Sequence, residues 1–282
     1  MASAPTRLRQ LALVAHDLKR AEYLLTKVIG TEVVFVDPGV AIWGLENFIV
    51  AVGGDFIEVV SPTNPNTTAA RLLSKRGDGG YMIIMQTMDA RKQRSHIESK
   101  GLGKVIHLSE RADSVCIQYH PKGIRGGVIP ELDSHRATPT NPEPVASRFA
   151  PWHACGKDYD SYSRGMKRTA DLHLVDVTCR LAPGDGDIDA ALKQWEETFG
   201  ISRGPESLQF TNARMRFLSG MQGQSEGLAG ITIAVQGEGR LKGIFDRARE
   251  LNLPLGDGWV DMLGVRWCFV APDRGREQAS KL

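Results

Sequence analysis

The chain has 282 residues, 41% of them hydrophobic and 24% charged, with a formal net charge of +2. This is an ordinary globular composition, and the length is enough for two hydrophobic cores. The balance of charge gives no reason to expect nucleic acid or a membrane surface as a partner, no apolar run is long enough to cross a bilayer, and the Met1-Ala2-Ser3-Ala4 start carries no apolar signal core. Cys116, Cys155, Cys179 and Cys268 are scattered without a CxxC pair, which predicts buried thiols rather than a disulfide frame or a zinc site.

In chain order, Leu8 to Ala15 reads as a strand, followed by Asp17 as an N-cap and a helix with Leu18, Ala21, Leu25 and Val28 on one face. Gly30 ends that helix, and strand-like runs follow at 32–36, 47–52 and 55–60. The pattern returns with a strand at 80–87, a helix opened by Asp89 and closed by Gly101, and strands at 104–108, 114–120 and 127–132. From His135 to Ala170 the rhythm breaks. Pro139, Pro142, Pro144 and Pro151 interrupt a polar stretch, which predicts an extended arm or linker.

A third copy starts at Leu172 to Arg180, with a helix marked by Ile188, Leu192, Trp195 and Phe199. Gly184-Asp185-Gly186-Asp187 before it reads as a polar turn and N-cap rather than a phosphate loop. A fourth copy starts at Gly230 to Val235, and its helix carries Leu241, Ile244, Phe245, Ala248 and Leu251. The predicted class is therefore α+β, with four βαβββ modules in an internally repeated architecture. The expected organisation is a first domain over 7–133, an arm over 134–171, a second domain over 172–272 and a tail over 273–282.

Within the first module, Glu58 stands in the middle of the apolar run Gly54-Asp55-Phe56-Ile57-Glu58-Val59-Val60-Ser61-Pro62. A carboxylate there needs a cation, a metal or hydrogen-bond donors. No P-loop or G-x-G-x-x-G after a strand offers a rival chemistry.

The opening Leu11-Ala12-Leu13-Val14-Ala15-His16-Asp17-Leu18, the run Gly54 to Pro62, and Tyr119-His120-Pro121-Lys122-Gly123 followed by Gly126 to Leu132 resemble the vicinal oxygen chelate superfamily, most closely its glyoxalase-like domains. The resemblance covers about residues 8–133, and 172–271 more weakly. It implies curled mixed sheets around a cleft and a divalent metal on four side chains. By this resemblance the ligand places fall on Gln10, Glu58, Met82 and Glu131, with Met82 departing from the pattern as a poor partner for a hard ion. The modules could pair one with two or one with four, and only the first arrangement puts Gln10, Glu58 and Glu131 in one cleft. The matching places of the second pair of modules hold His173, Arg216, Thr232 and Phe269. That pair is read as metal-free, with Arg216 either holding an anionic ligand group or salt-bridged. Met82, His173 and Arg216 are the substrate-binding candidates, and Glu58 and Glu131 the catalytic ones.

Two classes stay open. One is a glyoxalase-like enzyme, a lyase or isomerase, acting on a small oxygen-rich substrate. It would use Lewis-acid chemistry on Mg, Mn, Fe or Zn held by Gln10, Glu58 and Glu131, or carboxylate acid–base chemistry alone. The other is a metal-free small-molecule-binding protein. Homodimerisation is left open. Ser280-Lys281-Leu282 matches a peroxisomal address, so an import receptor is the expected macromolecular partner and the peroxisome the expected location.

Overall fold

The computed structural model describes residues 5–272. Ser280-Lys281-Leu282, read from sequence as a peroxisomal address, lies outside the described residues. The strands are β1 Arg7–Val14, β2 Glu32–Phe35, β3 Leu45–Val52, β4 Asp55–Pro62, β5 Gly79–Gln86, β6 Val105–Glu110, β7 Ser114–Tyr119 and β8 Ile129–His135. They continue as β9 Leu172–Arg180, β10 Ser202–Arg203, β11 Leu208–Gln209, β12 Arg214–Leu218, β13 Gly227–Val235, β14 Leu255–Gly256, β15 Trp259–Met262 and β16 Val265–Val270. Helices are α1 Leu18–Tyr23, running into a π-helical stretch Leu24–Ile29, then α2 Thr68–Arg76, α3 Ala90–Lys100, α4 Tyr159–Arg168, α5 Ile188–Phe199 and α6 Glu238–Glu250.

The strands form two eight-stranded sheets, in the orders β2-β3-β4-β1-β5-β8-β7-β6 and β10-β11-β12-β9-β13-β16-β15-β14. The two orders are the same pattern written twice, as the fourfold repeat predicts. Pairing is mixed: β5–β8 and β13–β16 are parallel, whereas β2–β3–β4, β6–β7–β8 and β14–β15–β16 are antiparallel. The class is α+β with two repeated sheets, as read from sequence.

Local chemistry explains the helix ends. The side chains of Asp17, Asp89 and Asp187 accept from the backbone N–H groups of Arg20, Lys92 and Ala190 at 2.8, 3.0 and 2.9 Å. These are N-caps that satisfy orphan donors. Gly30, Gly101 and Gly200 close the helices with φ of 76°, 62° and 68°, a region that costs glycine nothing.

Contacts gather the chain into two compact units. Among the described residues, one holds 5–11, Tyr81–Pro151 and Val177–Leu228; the other holds Ala12–Gly80, Trp152–Asp176 and 229–272. In the first unit α3 meets α5: Gln93 Nε2 donates to the Thr198 carbonyl at 2.7 Å. Trp195 Nε1 donates to the Arg125 carbonyl at 2.8 Å. In the second unit, α6 supplies Arg240 and Arg247, whose guanidinium groups donate to the carbonyls of Gly30 and Val28. Cations at the end of a helix meet its unpaired carbonyls there.

The arm is the main departure from the sequence reading. Its second half is not extended: 159–168 is α4, capped by Asp158 and burying Tyr162, Ser163, Gly165 and Met166. It packs on β2, with Gly165 against the Val34 side chain and Arg168 ion-paired to Glu32. The prolines upstream mask this helix in the sequence; the Tyr162–Met166 spacing of four is its one signal.

Candidate functional site

β8 builds the site. Strand alternation puts Ile129, Glu131, Asp133 and His135 on one face and Pro130, Leu132 and Ser134 on the other. The register extends each face sideways. Glu131 lies between Ile84 of β5 and Gln118 of β7, and Asp133 between Gln86 and Cys116. The opposite face carries Ile117, Tyr119, Leu132 and Met85, all fully buried. Tyr119 there meets the ring of Phe199 from α5, with centroids 5.7 Å apart. The carboxylates therefore stand on the face turned away from the helices.

Glu131 is 5% exposed and Asp133 is fully buried. Gln118 Nε2 donates to Glu131 Oε2 at 2.7 Å. Burial pushes the Asp133 carboxyl well above the usual carboxylate range. Hydrogen bonds with the Cys116 thiol, Glu131 and the backbone N–H of Ile117 pull it partly back. The Cys116 thiol is itself pushed up, first by burial and then by the negative potential of Glu131 and Asp133. The ligand atoms of Cys116, Glu131 and Asp133 lie within 4.8 Å of one another.

The proline-rich part of the arm meets this same face at Gln86. Gln86, which pairs with Asp133, donates Nε2 to the Pro144 carbonyl at 3.1 Å. Buried Arg7 donates to the carbonyls of Ser147 and Arg148 at 2.7 and 3.0 Å, and buried Arg9 to that of Ala150 at 2.5 Å. Residues 144–150 thus form a strap gripped by its backbone oxygens.

Of the sequence candidates, Gln10 on β1, Met82 on β5 and Glu131 on β8 fall in the first unit. Met82 shares the Glu131 face but sits one pair along, opposite Ile129. Glu58 belongs to the second unit, where Asn47 Nδ2 donates to its Oε1 at 2.5 Å and the Asp37 N–H donates to Asn47 Oδ1 at 2.9 Å. His173 is half-buried on β9 of the second unit. Arg216 on β12 of the first unit alternates with Met215 and Phe217. Phe217 faces Trp195 of α5 with ring centroids 6.2 Å apart, so Arg216 points the other way.

Phe269 is a correction. Its ring meets Phe245 of α6 edge-on at 6.0 Å, and its register partner is Ile233, so it is a helix-side core residue. Thr232 shares the opposite face with Cys268 instead. A one-residue slip in register reverses every face, and the sequence alone left that choice open.

The reading from sequence passed over Asp133, Cys116 and Gln118. Asp133 was findable, because two carboxylates at i and i+2 on a strand must share a face. Cys116 was read as an inert buried thiol, and only its cross-strand partner Asp133 makes it part of a site.

The four family ligand places do not fit a hard divalent ion as a set. Met82 brings a thioether, and the donors that do converge, Cys116 and Asp133, stand at other places.

The architecture is similar to that of a variant of 4-hydroxymandelate synthase from Streptomyces coelicolor. The TM-score is 0.65, with 13% identity over 94% of this chain and 92% of that one. Methylmalonyl-CoA epimerase from Mycobacterium tuberculosis matches 48% of this chain and 92% of its own at 23% identity, with a TM-score of 0.42. A Streptomyces coelicolor methylmalonyl-CoA epimerase matches 48% of this chain and 100% of its own at 22% identity, also at 0.42. No protein-family model and no curated relative matches the chain. The chain shares its two-sheet α+β fold with that synthase variant.

Proposed function

We propose that this chain is a glyoxalase-like enzyme that moves a proton on a small, enolisable, oxygen-rich substrate. The observation that carries this reading is Glu131, a buried carboxylate on the face away from the helices, oriented by Gln118 and hydrogen-bonded to a second carboxyl group. Two carboxyls in contact are stable when they share a proton, and such a pair can take a proton from carbon at one stage and return it at another. Glu58, held by Asn47 in its own unit, is the second proposed acid–base group. Met82, His173 and Arg216 are proposed to contact substrate, with Arg216 suited to an anionic group.

Exchange of carbon-bound hydrogen tests the proposal. A panel of 2-oxo acids, hydroxy-carbonyl compounds and acyl thioesters is incubated with the protein in heavy water and followed by proton NMR. Catalysed loss of the α-proton signal is expected for at least one class. It should be abolished by Glu131→Gln with the far-ultraviolet circular dichroism unchanged. Exchange at the wild-type rate in both Glu131→Gln and Glu58→Gln would refute the assignment. The rival reading, a protein that binds such a molecule without turning it over, predicts saturable binding with no exchange.

A further inference from the structure

We propose that Cys116, Glu131 and Asp133 form a binding site for a thiophilic divalent cation of the Zn2+ or Fe2+ class. The site shares only Glu131 with the four ligand places that the fold's resemblance implies. It rests on side-chain geometry and not on the proposed reaction.

Three donors converge from two adjacent strands. Cys116 and Asp133 are cross-strand neighbours, and Glu131 precedes Asp133 by two residues on the same face. Their ligand atoms lie within 4.8 Å of one another, and the carboxylates are buried. A thiol and two carboxyls at that spacing are held together either by protons or by a cation. The mixed set decides which cation. Mg2+ and Ca2+ take oxygen ligands, whereas a thiolate beside carboxylates suits zinc and its neighbours in the transition series.

The surroundings already orient the donors. Gln118 Nε2 donates to Oε2 of Glu131 and fixes the direction of its carboxylate. The Ile117 N–H donates to the Asp133 carboxylate. Such outer partners fix the direction of metal ligands. The donors stand on a paired strand ladder, which holds them more rigidly than a loop would.

Cobalt reports the site directly. Full-length protein is stripped with a chelator and titrated with Co2+ while the absorption spectrum is recorded. One equivalent should bind and give a thiolate-to-cobalt charge-transfer band in the near ultraviolet, and Zn2+ should displace it. Cys116→Ser, nearly isosteric, should remove the band. Gln118→Leu should weaken binding by about tenfold or more. Met82→Ala, at the family's ligand place, should leave the spectrum unchanged. Circular dichroism and thermal melting check that each variant is folded. Absence of saturable binding, a cobalt spectrum without the charge-transfer band, or a band that survives Cys116→Ser would overturn the proposal. The two proposals share Glu131, so proton exchange is followed on the metal-stripped protein: exchange that fails while cobalt binds overturns the reaction alone, and exchange that succeeds while cobalt does not bind overturns the site alone.

Discussion

Gln118 and Asn47 do the same job for different carboxylates. Each donates one amide N–H to a glutamate that strand geometry has placed among apolar side chains. A hydrogen bond to a charged group contributes about 1.5–3 kcal/mol, and removing the donor leaves the carboxylate undersatisfied. Gln118→Leu is therefore expected to lower the unfolding free energy by about 2 kcal/mol. Urea denaturation of the metal-stripped protein checks this; an unchanged midpoint would mean that Glu131 finds another donor. The identity of these helpers was not legible from the sequence. Asn47 is eleven residues from Glu58 and Gln118 thirteen from Glu131, and only antiparallel register brings them together.

At the scale of elements, α4 and the strap turn a linker into structure. Gly165 faces the Val34 side chain with no room for a Cβ, so Gly165→Val should overpack the α4–β2 contact and cost about 1–3 kcal/mol. Gly165→Ala should cost less, and comparing the two melting temperatures separates crowding from helix propensity. The Arg168 guanidinium holds Glu32 below its usual value of 4.5. A depressed carboxylate contributes stability that is present above about pH 4.5 and is lost as pH falls through the lowered value. Both side chains are more than a third exposed, so solvent screens the coupling and keeps it small. A double-mutant cycle on Glu32→Gln and Arg168→Gln should find that small coupling at pH 7 and none near pH 2.

The strap is held by carbonyls, which side-chain patterns do not encode. Replacing Arg7 by alanine removes two of its hydrogen bonds. Arg7→Ala should speed proteolysis within 137–151 at temperatures where the rest of the chain stays protected. Cleavage spread evenly along the chain would instead report global unfolding.

At the scale of the whole molecule, sheets and contacts divide the chain differently. Each sheet is built from consecutive modules, but each compact unit draws residues from both sheets. The domain limits proposed from sequence, 7–133 and 172–272, follow the sheets. Expressing residues 1–136 alone tests which division is the folding unit. The contact division predicts that this fragment lacks a cooperative unfolding transition, because α3 has lost α5 and the π-helical carbonyls have lost Arg240 and Arg247. Co-expression with 137–282 should restore the transition. A fragment that melts cooperatively by itself would favour the division by sheets.

The sequence by itself determined the modules, their order and their caps. Hydrophobic periodicity, Asp N-caps and left-handed glycines act over a few residues, so Asp17, Asp89 and Asp187 could be read directly and the fourfold rhythm with them. It also determined that Glu131 lies on the face of its strand opposite Leu132. Tertiary structure decided what the local pattern cannot hold. It set the register that seats Cys116 beside Asp133 and puts Phe269 under α6. It folded α4 out of a proline-rich arm and pinned residues 144–150 to Gln86, Arg7 and Arg9. Each of these depends on partners far away in the chain, and a strand offers both faces equally until a neighbour pairs with it.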